Sequence, residues 1–344
     1  MSSHIIDWLI IPFVKILAIF GFIVISVLLL VWLERRVVGF IQSRLGPNRV
    51  GPFGLLQTVA DTIKLLLKED IVPHKADRRL FNLGPIVVFV PLAVAFALIP
   101  FGGNIKIFGK EVSLYLADLN IGLLFVIAFS SLGIFGIILG GWAANSKYPL
   151  LGSLRSAAQM VSYEVALGLS IISVLFFSKS LSLVDIVEAQ KQMGVWFIFI
   201  QPVAFFIFLI AGIAETNRCP FDLPEAESEL VGGFHTEYSG IKFAFYFLAE
   251  YAHMVLISAL VVILFLGGWY RPFPNVEFLS FLDVVPDSVW FILKFGFFIY
   301  LYIWIRGTFP RYRYDQLLEL SWKGLIPLAL ANIIVTGFIL ILIR

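Results

Sequence analysis

The chain of 344 residues is 60% hydrophobic and only 14% charged, with a mean hydropathy of +0.96. Because an ordinary soluble domain carries roughly 25% charged residues, this composition excludes a soluble protein. Its single cysteine, Cys219, excludes a disulfide framework and the thiolate clusters that hold iron–sulfur centres or structural zinc. The net charge of +2 carries little information, but only one of the four histidines, His253, lies in an apolar run, so the chain cannot supply both axial ligands of a membrane haem.

Eight apolar stretches are long enough to cross a bilayer, for which a helix needs about 20 residues. They predict an all-α fold, a polytopic membrane helix bundle of about eight transmembrane helices that forms a single integral membrane domain over residues 1–344. The first residues lack the basic region of a signal peptide, so we expect the first span to remain in the mature protein. The predicted spans are Ile10–Leu33, Asn82–Phe101, Ile121–Trp142, Ser156–Phe177, Trp196–Ala214, Phe243–Leu266, Val289–Arg306 and Leu325–Ile343.

The distribution of Lys and Arg predicts the orientation of this bundle. Of the 25 Lys and Arg residues, 17 belong to the segments after the first, third, fifth and seventh spans, and eight belong to the other side. Cytoplasmic loops are enriched in these residues, so both termini are expected to face away from the cytoplasm. The end that carries the 17 cations is called the basic end below.

One segment between the first two spans has helical spacing but cannot cross the membrane. Residues 53–68 repeat apolar side chains with the period of a helix, and Gln57, Asp61, Lys64 and Lys68 lie on the opposite face. The segment is too short and too charged to span, which predicts an amphipathic helix in the membrane interface. A helix packed on another subunit is the alternative, and both can hold.

Carboxylates occur at membrane depth, where a charge costs on the order of 2.5–3.5 kcal/mol and therefore indicates function. Glu164 lies in the fourth span, Glu215 ends the fifth, and Glu250 shares a helix face with His253 in the sixth. A polar stripe along the fourth span indicates a hydrated interior, and it consists of Arg155, Gln159, Ser162, Tyr163, Ser170 and Ser173. These groups are interpreted as proton-transferring; the alternative is static pairing of Glu164 with Arg155 and of Glu250 with His253.

An acidic loop, residues 215–240, follows the fifth span. Five acids lie between Glu215 and Glu229 around one cation, Arg218. Like charges this close raise one another's pKa values, which suits a proton relay. A solvated acidic surface loop is the alternative. Pro220 and Pro224 break the helix at the membrane edge.

Four segments resemble one family, the subunit 1 family (the H-type subunit in bacteria) of NADH-quinone oxidoreductase, respiratory complex I. The run from Leu33 to Gln57, with Gly46-Pro-Asn48 inside it, is similar to the first signature of that family, and Pro220-Phe-Asp-Leu-Pro-Glu-Ala-Glu227 belongs to the second. Residues 162–168 and 306–316 match further. The resemblance extends over essentially the whole chain.

The resemblance implies a membrane subunit that binds no redox cofactor, has no catalytic residue or metal of its own, and walls part of a chamber for ubiquinone or menaquinone. NADH, FMN and the iron–sulfur clusters are expected in partner subunits, which include the quinone-site subunits of the peripheral arm and small membrane subunits. It places Glu34, Arg36, Gln42, Asp61, Lys64, Phe234 and His235 at the chamber. It places Tyr148, Glu164, Glu215, Glu225, Glu227, Glu229 and Glu250 on a carboxylate path for protons into the membrane arm.

Two other functions are weighed against this one. A membrane anchor of a hydrogenase-type complex shares the bundle, but the intact motifs around Gly46 and Pro220 argue against it. A freestanding proton or ion transporter is disfavoured because the sequence shows no internal repeat. The length and lysine content favour a bacterial plasma membrane over that of an organelle.

Overall fold

The structure is a computed structural model, and it describes residues 11–107, 110–223, 230–273, 282 and 284–343. Most of these residues belong to helices. The helices are α1 (Ile11–Ile41), α2 (Gln57–Leu67), α3 (Arg78–Ala95), α4 (Gly122–Ala143), α5 (Lys147–Ser178), α6 (Leu183–Met193), α7 (Phe197–Ile200), α8 (Pro202–Glu215), α9 (Gly240–Phe265), α10 (Asp287–Thr308), α11 (Tyr314–Glu319) and α12 (Ile326–Ile343).

The number of long apolar helices confirms a polytopic helical bundle. Within the described ranges, seven helices are long and apolar enough to cross a membrane, and α8 is a shorter apolar helix. The last long helix is continuous from α11 to α12 because a π-helical segment, Leu320–Leu325, joins them. The α5 helix begins nine residues before the predicted fourth span, since its first turns carry the polar residues of the basic end.

The fifth predicted span is not one continuous helix, which corrects that prediction. The one-turn helix α7 ends before Gln201, and α8 starts at Pro202 with only 14 residues, or about 21 Å. Proline has no N–H to donate, so the helix can restart there. The Gln201 amide donates to Thr336 Oγ1 (2.8 Å) and accepts from Asn332 Nδ2 (2.9 Å), which places polar partners beside the break.

The amphipathic helix forms as predicted, although it is shorter. A 3₁₀ turn, Pro52–Gly54, precedes α2, which packs against α1 and α9. Its outer face exposes Ile63, Leu66 and Leu67. The apolar residues of α2 are therefore only partly covered by the chain itself, as expected for a helix in contact with lipid or with another subunit.

Two elements at the end opposite to the basic end were not predicted. Strands β1 (Asn104–Ile107) and β2 (Lys110–Ser113) form an antiparallel hairpin that pairs Asn104 with Ser113. The α6 helix is 11 residues long and is capped by Ser182, whose hydroxyl accepts from the Asp185 backbone N–H. Both elements are too short to cross the membrane and serve as connections.

The centre of the bundle is α9. All residues from Tyr251 to Phe265 are buried, and 83% of its apolar window is covered by the chain, against 22% for α1 and 17% for the last helix. Glu250 and His253 on α9 therefore lie inside the protein and not against lipid. The carboxylates that the sequence places at membrane depth consequently surround the most enclosed helix.

Glycines on α4 let α3 and α9 approach closely, as in other membrane bundles. A Cβ added to Gly136 would lie 2.5 Å from Val88 Cγ2 and 2.7 Å from Val88 N on α3. At Gly140 it would lie 2.0 Å from the Tyr246 hydroxyl of α9. No larger residue fits at Gly136 without moving α3, or at Gly140 without moving the Tyr246 side chain, so these contacts pack α3 and α9 closely against α4.

Candidate functional site

A buried charge cluster joins helices that are far apart in the sequence. It consists of Glu34 on α1, Arg218 after α8, Glu250 and Tyr251 on α9, and Arg306 on α10. The Glu34 carboxylate forms an ion pair with Arg306, accepts from the Tyr251 hydroxyl at 3.2 Å, and lies 3.6 Å from Arg218 Nη1. Two carboxylates and two guanidinium groups thus compensate each other at a place where only 8% of Glu34 is exposed.

Arg218 is the centre of this cluster. Its Nε lies 2.9 Å from Glu250 Oε1, and its guanidinium carbon lies 3.8 Å from the centroid of the Tyr251 ring. An arginine that pairs with two carboxylates and stacks on an aromatic ring is held in one geometry. The segment after α8 is therefore fixed to α1 and α9 by charge and stacking together.

A cavity of about 130 Å³ opens beside the cluster, and it is called the aromatic cavity. Aromatic rings form most of its wall, and two guanidinium groups and one carboxylate supply polar contacts. The lining residues are Arg218, Phe234, His235, Phe243, Tyr246, Phe247, Glu250, Tyr251 and Arg306. An apolar wall with a few convergent polar groups suits a flat ring that carries polar substituents.

His235 is a titratable group of this wall that lies outside the membrane-spanning helices. Burial lowers the pKa of its imidazole, and the negative charges of Glu250 and Asp222 oppose that shift only in part. The imidazole is therefore neutral near pH 7, with one nitrogen as donor and the other as acceptor. Such a group can donate to a carbonyl oxygen without bringing a positive charge to it.

A second cavity, of about 40 Å³ and called the acidic cavity, lies next to the first. Its lining includes Glu215, Asn217, Glu250 and His253, and His253 Nε2 lies 3.4 Å from Glu215 Oε1. A buried water needs roughly 10–15 Å³ and two to four polar partners, so the space accommodates two or three waters. Glu250, Phe234 and Tyr246 line both cavities.

A further acidic residue, Glu164, lies on α5 near the acidic cavity. The Ser131 hydroxyl of α4 donates to its carboxylate, and Glu164 lies close enough to Glu215 and His253 to interact with both electrostatically. Met160, one turn before it, lines the acidic cavity. The carboxylates of Glu250, Glu215 and Glu164 thus follow one another from the aromatic cavity towards α4 and α5.

The partners observed differ from the static pairs considered above. Glu250 pairs with Arg218, whereas His253 faces Glu215. Arg155 lies against the Tyr314 ring at 5.8 Å, and the Glu164 carboxylate receives the Ser131 hydroxyl.

Sequence comparisons are decisive for the family. A sequence model of the NADH dehydrogenase family matches residues 14–337. The chain is 52% identical over 337 residues to an H-type subunit of NADH-quinone oxidoreductase from Rhizobium etli, with 95% of this chain and 96% of the relative covered. The H-type subunits of the same enzyme from Geobacter metallireducens (52% over 328 residues, 95% and 96% covered) and Thermomicrobium roseum (52% over 333 residues, 93% and 94% covered) are equally similar.

The chain belongs to the family of NADH-quinone oxidoreductase H-type subunits. It is accordingly a membrane subunit of a multi-subunit enzyme complex, as the sequence motifs implied.

The structure separates the residues that the family resemblance assigned to the chamber into two groups. Glu34, Phe234 and His235 lie at the charge cluster or the aromatic cavity. Gln42 and Lys64 are exposed, and Gln42 accepts from Arg44 Nε at 2.7 Å.

Asp61 on α2 and Arg36 on α1 lie at the surface of the basic end, where these two helices pack against each other. Asp61 pairs with Arg35 at 2.5 Å and accepts from Gln57 at 3.0 Å. Burial alone would raise the pKa of Asp61, but these contacts outweigh it and lower the pKa. Arg36 donates to the Phe53 carbonyl at 3.1 Å, and its guanidinium carbon lies 5.1 Å from the centroid of the Phe53 ring. The guanidinium group is therefore already in contact with another part of the chain.

Among the remaining assigned residues, Tyr148 is placed less centrally. Tyr148 lies in the first turn of α5, is 52% exposed, and its hydroxyl makes no hydrogen bond to another described residue. Glu225, Glu227 and Glu229 lie outside the described residues. Burial raises the pKa of Asp222, with Arg311 at 3.0 Å opposing the shift; in this acid of the loop the cause is burial and not the predicted repulsion between like charges.

Sequence reasoning missed Tyr251, Ser131 and Arg306 as members of the site. Arg306 offered a signal, because a guanidinium at the end of a span is the natural counter-charge for a buried carboxylate on another helix. Tyr251 and Ser131 offered none, since tyrosine and serine are ordinary in membrane helices and only the fold brings them to Glu34 and Glu164.

Proposed function

We propose that this chain walls part of the quinone chamber of its NADH-quinone oxidoreductase and couples quinone reduction to proton translocation through its buried carboxylates. The observation that carries the proposal is the shared wall of the two cavities, to which Glu250 contributes. A charge change in the aromatic cavity acts directly on a carboxylate that also faces the acidic cavity.

The aromatic cavity supports a quinone as the ligand. A quinone head is a flat ring with two carbonyl oxygens, and the cavity offers aromatic walls together with the donors of Arg218, Arg306 and the neutral His235. Reduction adds two electrons and two protons to the ring. The donors stabilise the negative charge that develops on the oxygens before the protons arrive.

The carboxylate series supports the coupling step. In a site with little water, one new charge changes the proton affinity of its neighbours strongly, and one pKa unit corresponds to about 1.4 kcal/mol. Glu250 would respond first, then Glu215 through the acidic cavity with its room for water, then Glu164 next to Ser131. Glu225, Glu227, Glu229 and Tyr148 are proposed to extend this path.

The electrons come from partner subunits in this proposal. NADH, FMN and iron–sulfur clusters belong to those partners, and this chain binds no redox cofactor. The peripheral-arm subunits of the quinone site would dock on the basic end, next to Arg36 and α2, and small membrane subunits would pack against the bundle. The membrane is proposed to be a bacterial plasma membrane, with both termini on its outer side.

Glu215→Gln in the intact enzyme complex tests the proposal, because the amide keeps the size of the side chain and removes its proton exchange. We expect NADH-driven quinone reduction and proton pumping in membranes to fall about tenfold or more. NADH:ferricyanide activity, which uses only the peripheral arm, should persist and report that the complex assembled. Unchanged quinone reduction and pumping would refute the carboxylate path.

A matched control uses an acid of the same chain away from the site. Glu319 is exposed and pairs with Lys323 one turn later at 2.7 Å. Glu319→Gln should leave quinone reduction, pumping and ferricyanide activity as they are. A loss in both variants would indicate a general defect and not a specific path.

A further inference from the structure

A cluster of cations at the basic end lies outside the site described above. The segment before α3 is held against the turn between α4 and α5 by two hydrogen bonds, from Asp77 N to Ala143 O (3.1 Å) and from Asn145 Nδ2 to Lys75 O (3.1 Å). These bonds bring together four exposed cations, called the α3–α5 basic patch: Lys75, Arg78, Arg79 and Lys147.

The charge of this patch is not neutralised by the described parts of the chain, in which none of the four cations forms an ion pair. The carboxylate adjacent to them in the sequence, Asp77, caps α3 by accepting from the backbone N–H groups of Arg79 (2.9 Å) and Leu80 (3.3 Å). Elsewhere at this end, Arg311 and Lys323 have carboxylate partners at 3.0 and 2.7 Å. Among the described residues the patch therefore has a net positive charge, which favours an anionic partner.

The surroundings of the patch place it at the level of lipid headgroups. Trp142, in the last turn of α4, is 66% exposed, and exposed tryptophans are typical of the membrane–water interface. Further along the helices, Leu83 and Ile86 on α3 and Leu151 and Leu154 on α5 are exposed apolar side chains. Ile86 lies about two turns, or about 10 Å, along α3 from Arg79 on the same helix face, so this cation lies above a surface that suits acyl chains.

We propose that the α3–α5 basic patch binds the phosphate of an anionic phospholipid whose acyl chains lie along the exposed apolar faces of α3 and α5. Arg78 and Arg79 can bind phosphate oxygens with two N–H groups each, whereas Lys75 and Lys147 contribute point charges. Basic pockets between membrane helices at the cytoplasmic side bind anionic headgroups for this reason. The site is independent of the quinone chamber.

The test uses the purified enzyme complex with Arg78→Gln/Arg79→Gln, with Lys323→Gln as the control. Lys323 lies at the same end of the bundle and has its own carboxylate partner. The affinity for fluorescent phosphatidylglycerol is measured in detergent, with phosphatidylcholine as the neutral probe. Each cation near an anionic headgroup contributes about fivefold in affinity, so the double variant should bind phosphatidylglycerol roughly 25-fold more weakly and the control should be unchanged.

Three outcomes would overturn the proposal. Equal binding of phosphatidylglycerol by the double variant would exclude the patch, and equal loss of phosphatidylcholine binding would exclude recognition of charge. Inorganic phosphate that displaces the lipid at similar concentrations would indicate a site for free anions.

A second measurement leaves the cations intact and does not depend on assembly of the double variant. A photoreactive phenylalanine analogue in place of Trp142 should capture a phospholipid when the complex is irradiated in its membrane. Capture of a neighbouring protein would overturn the proposal. Arg78→Lys/Arg79→Lys, which keeps the charge, should retain most of the preference for phosphatidylglycerol.

Discussion

The buried pair of Glu34 and Arg306 allows a quantitative test of the charge cluster. Glu34→Gln keeps the shape of the side chain but leaves two guanidinium groups, Arg306 and Arg218, beside an uncharged amide. At the 3.6 Å that separates Glu34 from Arg218, opposite charges attract by about 5 kcal/mol at an effective dielectric constant of 20. Desolvation offsets part of this attraction, and breaking a buried pair by removing one partner costs about 3–5 kcal/mol.

The lower end of that range is expected here. The Arg306 side chain is 39% exposed, so water can solvate it after Glu34 loses its charge. We therefore expect Glu34→Gln to reduce the free energy of unfolding by about 3 kcal/mol. At about 2–4 °C per kcal/mol, the midpoint of thermal inactivation of the purified complex should fall by roughly 6 °C or more.

The double variant Glu34→Gln/Arg306→Gln distinguishes charge compensation from simple loss of contacts. It removes both members of the pair, so neither carries an uncompensated charge, and its midpoint should lie above the value that the two single variants predict by addition. A coupling of about 2 kcal/mol is expected. Additive losses would refute the reasoning, and Asp315→Asn, which breaks the exposed contact with Arg313 at 3.2 Å, should have no effect.

Three further outcomes follow from the packing and from the titratable groups outside the membrane. Gly136→Ala should cost about 1–3 kcal/mol by overpacking α4 against α3, whereas Gly168→Ala, which meets nothing within 4 Å, should not destabilise the complex; equal thermal inactivation would contradict this. Burial lowers the pKa of His235, so below the ordinary value of about 6.5 the unfolded chain binds more protons than the folded chain, and stability should fall as the pH falls through that value. His235→Gln should therefore make the midpoint of thermal inactivation less dependent on pH between about pH 7.5 and 5.5. An unchanged pH dependence would show that other groups cause it. The lowered pKa of Asp61 keeps it ionised at pH 7, but its partner Arg35 is 44% exposed, so Asp61→Asn should cost less than about 1 kcal/mol in the same assay, and a larger loss would show a buried role.

The long helices are predictable because length and apolarity are local properties of the chain. A run such as 10–33 specifies a transmembrane helix whatever surrounds it, and α1 forms there. The break at Gln201 was not predicted, although Pro202 is visible in the sequence, since proline is also tolerated inside membrane helices and α3 contains two. The polar partners that satisfy the break, Asn332 and Thr336, come from a helix about 130 residues later.

The site was predictable in its carboxylates and not in their partners. A carboxylate at membrane depth is costly in any fold, so Glu164, Glu215 and Glu250 could be identified from position alone. Their partners depend on tertiary structure: Glu34 and Arg306 are 272 residues apart in the sequence. Local patterns carry no information about a contact over that separation. The helical spacing of Glu250 and His253 therefore suggests a pair, whereas in the structure Glu250 pairs with Arg218 and His253 faces Glu215.

The polarity of α9 changes along its length, and this change constrains where a proton can go. Glu250 and His253 lie near its middle, whereas the residues from Met254 to Phe265 are all buried and, apart from Ser258, all apolar. The Ser258 hydroxyl donates to the Met254 carbonyl one turn earlier, so it offers that donor to no other group. A dry helix of 12 residues is about 18 Å long, more than half of the hydrocarbon thickness. In the proposed path, a proton that reaches His253 would therefore find only Ser258 further along α9, and it would leave sideways, through Glu215 towards Glu164.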